Sequence, residues 1–186
     1  MASKIDLISN ALILIGDTPV NALTGGTRRE TVASKLYDNI VQNELTKHRW
    51  GFARKQAQIS RLTDPPVDTT RWKTVYQLPT DLLFLITVSP DSNYQVYGDK
   101  VYSNSNQALY ADYIANTPED EWPVYFAKMI EYALAMDFAA SIRDSSAARG
   151  EMATAYVNAS RMARFTDSQQ YPTEQVRSNP FVNVRY

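Results

Sequence analysis

The chain has 186 residues, 44% of them apolar and 21% charged, with a formal net charge of −1 and no cysteine. That length and composition suit one globular domain able to bury its own core, with room for an inserted lobe. The missing thiols exclude disulfides, thiolate metal sites and a cysteine nucleophile, and fit folding in a reducing cytoplasm, while the scattered charge leaves no long basic run to capture nucleic acid.

Ser3, with Asp6 three residues on, predicts the capped start of a helix over "SKIDLISNALILIG", in which Ile5, Ile8, Leu12 and Ile15 recur at helical spacing. Gly16 is its expected stop, and "GDTPVNALTGG" reads as a loop. Asp6 and Asn10 interrupt the apolar stretch, which is too short to span a bilayer and lacks the marks of a signal peptide. "TRRE" is a capping box, Thr27 as N-cap and Glu30 reaching back. It opens a helix to about Lys47 whose stripe is Val32, Leu36, Ile40 or Val41, and Leu45.

Beyond Gly51 the period changes. "AQISRL" alternates like a half-buried strand, "TDPPVDTT" is a proline-bearing loop, and "WKTVYQLP" and "FLITVS" read as two further strands. "YQVYGDKVYS" reads as a hairpin about Gly98-Asp99, and "ALYADYIA" alternates again. Helical period resumes after "TPEDEWP", where Thr117 is the expected cap. A helix from Pro118 or Pro123 to Arg143 carries Phe126, Met129, Ile130, Ala133, Leu134 and Phe138. The next, from near Asp144, has a small, soft inner face of Ala148, Met152, Ala155, Tyr156, Ala159, Met162 and Ala163, with Gly150 inside it. From "FTDSQQYPTEQVRSN" onward the chain reads as a polar tail, which then returns to apolar side chains in "NPFVNVRY".

The expected fold is therefore α+β: an antiparallel bundle of two N-terminal and two C-terminal helices, an inserted antiparallel sheet lobe and an extended C-terminal tail. Its divisions are 1–56 for the first helices, 57–116 for the lobe, 117–165 for the second helices and 166–186 for the arm.

No catalytic constellation stands out. His48 is the one histidine, so neither a metal site nor a serine-histidine pair is signalled, no cofactor motif is present, and "TGGTRRE" lacks phosphate-loop spacing. The acids of "TPEDE" are those of a helix start. The expectation is a protein that is not an enzyme, holding no metal and no cofactor.

Taken in order, "ISNALILIGDTPVNAL", the capped helix ending in "HRWGFA", "YQLPTDLLFLITV" and "YALAMDFAASI" resemble the tail tubular protein A family of short-tailed bacteriophages, over roughly residues 5 to 165. These are head-to-tail adaptors, or gatekeepers. The resemblance implies a helix bundle with a β-rich lobe, assembled as a homo-oligomeric ring, typically a dodecamer. Such a ring sits below the portal protein in the virion, after assembly in the host cytoplasm. It extends the channel through which genomic DNA passes without sequence-specific binding, and it docks the next tail (nozzle) protein. No membrane is involved.

The resemblance also implies a role for the arm, which in related adaptors reaches the portal. Val182, Val184 and Tyr186 share one face of an extended strand and would fill portal pockets, with Phe181 and Arg185 on the other. Folding of the tail back onto its own helices is the competing expectation. The alternative function is a nucleic-acid-binding module, using "KHRWGFARK" with the tyrosine-rich sheet as a stacking platform.

Overall fold

Both predicted capping boxes form. In the computed structural model, which describes residues 3–23, 26–90 and 93–170, the Ser3 hydroxyl accepts from the Asp6 N–H while the Asp6 carboxylate accepts from the Ser3 N–H, opening α1 (Lys4–Leu14). Thr27 and Glu30 do the same for α2 (Arg28–Thr46). α1 ends in a Schellman turn: Asp17 N–H donates to Leu12 C=O, Gly16 N–H to Ile13 C=O, and Gly16 takes φ +73°. The Arg143 guanidinium caps the same turn at the Ile15 carbonyl, so a side chain at position 16 would be strained by φ and would also meet Arg143.

Six strands follow: β1 (Arg54–Arg61), β2 (Thr74–Gln77), β3 (Leu82–Ser89), β4 (Tyr94–Tyr97), β5 (Lys100–Ser103) and β6 (Leu109–Ala115). They form one antiparallel sheet in the order β3-β6-β1-β2-β5-β4. β1 joins its halves, pairing with β6 from Arg54 to Ile59 and with β2 at Ser60 and Arg61. The hairpin turns where expected, with Gly98 at φ +61°. The sheet curls toward a barrel around its own core, which draws Ile59, Tyr76, Val88, Val101, Leu109 and Ala111 from five of the six strands.

After a 3₁₀ turn at Glu119–Glu121 come α3 (Val124–Ser141) and α4 (Ser146–Ser168). α3 is central, packing on α1, α2 and, most extensively, α4. Its Phe126, Met129, Ile130, Leu134 and Phe138 are wholly buried in a second core shared with Leu7, Leu12, Tyr37, Leu45 and Trp50. The architecture is thus α+β, four helices with a six-stranded antiparallel sheet.

β3 belongs to both cores. Its register against β6 slips at Leu83 and again at Ile86, two bulges that each add an unpaired residue. Leu82, Leu85 and Val88 consequently face the lobe, while the bulged Leu83 and Ile86 pack on the helices. Simple alternation could not place residues three apart on one side.

Several expectations change. α3 begins at Val124 with Pro123 as N-cap, and Thr117 caps nothing: buried, it donates to the Ala115 carbonyl. β1 starts at Arg54, three residues early. α2 buries Val41 and Leu45 as expected, but in its first half Ala33 and Tyr37 are buried where Val32 and Leu36 were expected, Leu36 being partly buried against the same core and the Tyr37 hydroxyl bonded to Glu119. Ile5 lies at the exposed side of α1, where Leu7 and Ala11 turn inward. Met162, expected on the inner face of α4, is 63% exposed. Finally α4 runs to Ser168, taking in the first residues assigned to the tail.

Gly150 sits exposed in the second turn of α4, and a Cβ there would meet nothing within 4 Å. Gly150→Ala is expected to stabilise the isolated chain by up to about 1 kcal/mol, the helix-interior difference between the two residues. Thermal unfolding checks this, and a lowered midpoint would contradict the geometry.

Candidate functional site

The residues assigned to portal docking, Phe181, Val182, Val184, Arg185 and Tyr186, lie outside the described residues. The other segment singled out, "KHRWGFARK", is described throughout and is woven into the fold. Trp50 is buried and donates from Nε1 to the Glu44 carbonyl at 2.9 Å. Phe52 and Trp50 both pack on Phe126, with ring centroids 4.8 and 5.0 Å away. Lys47 lies 2.5 Å from the Glu44 carboxylate, Arg54 2.8 Å from Asp112 and Lys55 3.5 Å from Asp81. Arg49 is exposed.

The tyrosines of the sheet are likewise divided. Tyr76 is buried with its hydroxyl on the Ser105 and Gln107 carbonyls, and Tyr113 is buried against Asp81 at 3.0 Å. Tyr97 and Tyr102 meet edge to face at the hairpin, walling a cleft with Val67, Asp68 and Trp72. Tyr110 is exposed on β6, separated from that pair by β1 and β2. The aromatic faces do not line up as one platform.

Three buried carboxylates organise the helical half instead. Asp167, completely buried near the end of α4, accepts from the Gly51 N–H at 3.1 and 3.2 Å and from the Tyr125 hydroxyl at 2.9 Å, with His48 Nε2 3.7 Å away. One side chain thereby ties the α2–β1 connection, the start of α3 and the end of α4. Glu44 accepts from the Tyr156 hydroxyl at 2.8 Å, joining α2 to α4. Glu131 accepts from Asn10 at 2.7 Å and from Lys128 at 2.8 Å, joining α1 to α3. Buried carboxylates are tolerated when bonds replace lost water, and these are so held. Their partners form clasps between elements, and among the described residues no group of three or more histidines or carboxylates is placed to hold a metal. Nor is any helix there long and apolar enough to cross a membrane.

Hydrogen bonds between tyrosines and carboxylates leave a titration signature. Burial, reinforced by the Asp81 carboxylate, pushes the Tyr113 phenol up to about 12, and burial with Glu119 also raises Tyr37. Burial and Glu44 raise Tyr156 in the same direction. In the unfolded chain these phenols ionise near their ordinary value of 10.0, so it loses protons first as pH rises. The contribution of Tyr113 is whole below pH 10 and fades as pH climbs from there toward 12. Stability is expected to fall with pH across that window, and Tyr113→Phe should flatten the slope. Urea titrations at stepped pH check this; an unchanged slope would count against it.

No protein family model matches the chain, and no curated protein does. Its own surfaces therefore carry the functional reading. Exposed apolar side chains lie on both halves, Val67, Phe84 and Val96 among them in the sheet half, and on the helical layer they include Val157, Met162 and Phe165 on α4 and Val124 at the start of α3, the last 86% exposed.

The sequence reading missed Asp167, Glu44 and Glu131. Asp167 continues the buried positions Ser160 and Ala163 at helical spacing, a signal that was legible but hidden by its polar composition.

Proposed function

We propose that this chain is a structural head-to-tail connector of a short-tailed bacteriophage, of the tail tubular protein A type. In this reading its four helices act as one antiparallel bundle bearing the sheet as a projecting lobe. Copies form a ring below the portal, a dodecamer as in the family it resembles, through which genomic DNA passes, and the ring docks the next tail protein. The arm, with Phe181, Val182, Val184, Arg185 and Tyr186, engages the portal.

The observation that carries the reading is the exposed apolar surface of α4 and the α3 start. Large apolar side chains left in solvent along a well-formed helix favour a protein that is covered on assembly. The structural use of the "KHRWGFARK" bases fits as well, since a conduit for DNA works best without strong cationic capture.

The test is co-sedimentation with portal rings encoded alongside the chain, full length beside a deletion of 179–186. The expected result is saturable binding near one chain per portal subunit, lost on deletion. Equal binding by both forms would keep the connector and remove the arm from its role. Absence of binding by either, together with salt-sensitive binding to single-stranded DNA, would replace the connector with a nucleic-acid module.

A further inference from the structure

The outward stripe of α4 runs through Gly150, Thr154, Val157, Arg161 and Phe165, positions three or four apart that share one side of a helix. Met162 and Arg164 flank it. Met162 is 63% and Phe165 59% exposed, and Arg161 and Arg164 are exposed beside them. Between Glu151 and Asp167 the helix carries no carboxylate, and Asp167 is turned wholly inward. The face is therefore apolar and cationic, with a bare backbone at Gly150, where nothing inside the chain comes within 4 Å of a would-be Cβ. A glycine in a helix interior weakens the helix, and here no intrachain contact uses the space it leaves.

The same chain presents a surface of opposite character. Asp120 and Glu121, in the 3₁₀ turn before α3, are exposed, and Val124 follows one turn later, 86% exposed. Glu119, the third acid, is taken by the Tyr37 hydroxyl at 3.0 Å, which leaves Asp120 and Glu121 as the outward pair. Cation-flanked Met162 and Phe165 match acid-flanked Val124 in both charge and apolarity. The Tyr125–Asp167 bond puts the two surfaces at one end of the α3–α4 pair, so a contact between copies need not offset them along the helices.

We propose that the outward face of α4 in one copy docks on the Asp120–Val124 surface of a second copy. Met162 and Phe165 cover Val124, and Arg161 and Arg164 face Asp120 and Glu121. Two unlike surfaces meet, so the contact is heterologous and repeats from copy to copy, as a ring requires. The inference rests on the connector reading and names the contact between its subunits.

The absence of native cysteine makes a direct test possible. Full-length Val124→Cys and Phe165→Cys chains are oxidised separately and mixed, in solution and after addition of portal rings. The mixture is expected to give a disulfide-linked dimer well above either variant alone. Adding Arg161→Glu and Arg164→Glu to the Phe165→Cys chain should abolish it, and Asp120→Lys with Glu121→Lys on the Val124→Cys chain should restore it. Dimers from Phe165→Cys alone that equal the mixture would mean that like faces meet, and would overturn the proposal. So would no cross-link in chains that sediment with portal rings, although the connector would stand. A cross-link without portal binding would support the contact and count against the connector. Should the α4 face take DNA instead, charge reversal would lower binding to a labelled oligonucleotide while the mixture gave no cross-link, again overturning the proposal.

Discussion

Asp167→Ala is expected to cost roughly 2–6 kcal/mol, since it removes the carboxylate that accepts from the part-buried Gly51 N–H and Tyr125 hydroxyl, at about 1–3 kcal/mol for each. Few single changes touch three elements together, and this one loosens the end of α4, the start of α3 and the entry to β1. Asp167→Asn keeps an acceptor oxygen and should cost less. In a Tyr125→Phe background, which already lacks one donor, the alanine change should cost less than in the parent. Urea unfolding read by circular dichroism gives all four stabilities. Additive losses in the double variant would show that the hydroxyl and carboxylate do not act as a unit.

Phe126→Ala should be of similar size, about 3–5 kcal/mol, the usual range for removing a buried phenylalanine from a core. Phe126 is wholly buried, and the rings of Trp50, Phe52 and Trp122 stand 5.0, 4.8 and 5.1 Å from its own. Its loss opens a cavity among three large aromatic side chains, two of which are fixed elsewhere: Trp50 by the Glu44 carbonyl and Trp122 by the Thr117 carbonyl. Those anchors hinder collapse of the cavity, which places the expected cost in the upper part of the range. Phe126→Leu should cost less. The measurement is the urea midpoint together with tryptophan fluorescence; a loss near that of an ordinary surface change would show that the cluster repacks.

Much of the architecture was legible because local chemistry and global packing agree. The Ser3–Asp6 and Thr27–Glu30 boxes, the Gly16 stop and the Gly98 turn each satisfy backbone groups within a few residues, so sequence alone specifies them. Where the decision is tertiary, the reading slipped. Thr117 looks like a cap, but the helix after it waits for Pro123. Ala33 and Tyr37 are inside because α3 and the 3₁₀ turn lie over them, which no property of α2 reveals. The order β3-β6-β1-β2-β5-β4 is set by distant pairings, and the β3 bulges by the need to serve two cores. The carboxylate clasps were harder to read for a related reason: helical spacing marks Asp167, but its partners Gly51 and Tyr125 come together with it only in the folded chain. Of the candidate sites, the basic-aromatic segment proves to be packed and ion-paired within the chain, while Met162, expected on the inner face of α4, is exposed.

The doubled bulge of β3 also has a mechanical meaning. A lobe joined to its support by two covalent connections alone would swing on them as on a pair of hinges. Here Leu83 and Ile86 are driven from the middle of a sheet strand into the helical layer, like two dowels set into a neighbouring block. A push on the sheet is borne along β3 and passed straight to the helices, whatever the connections do. In the connector role proposed above, that stiffness would let load travel through the chain without being spent in bending it.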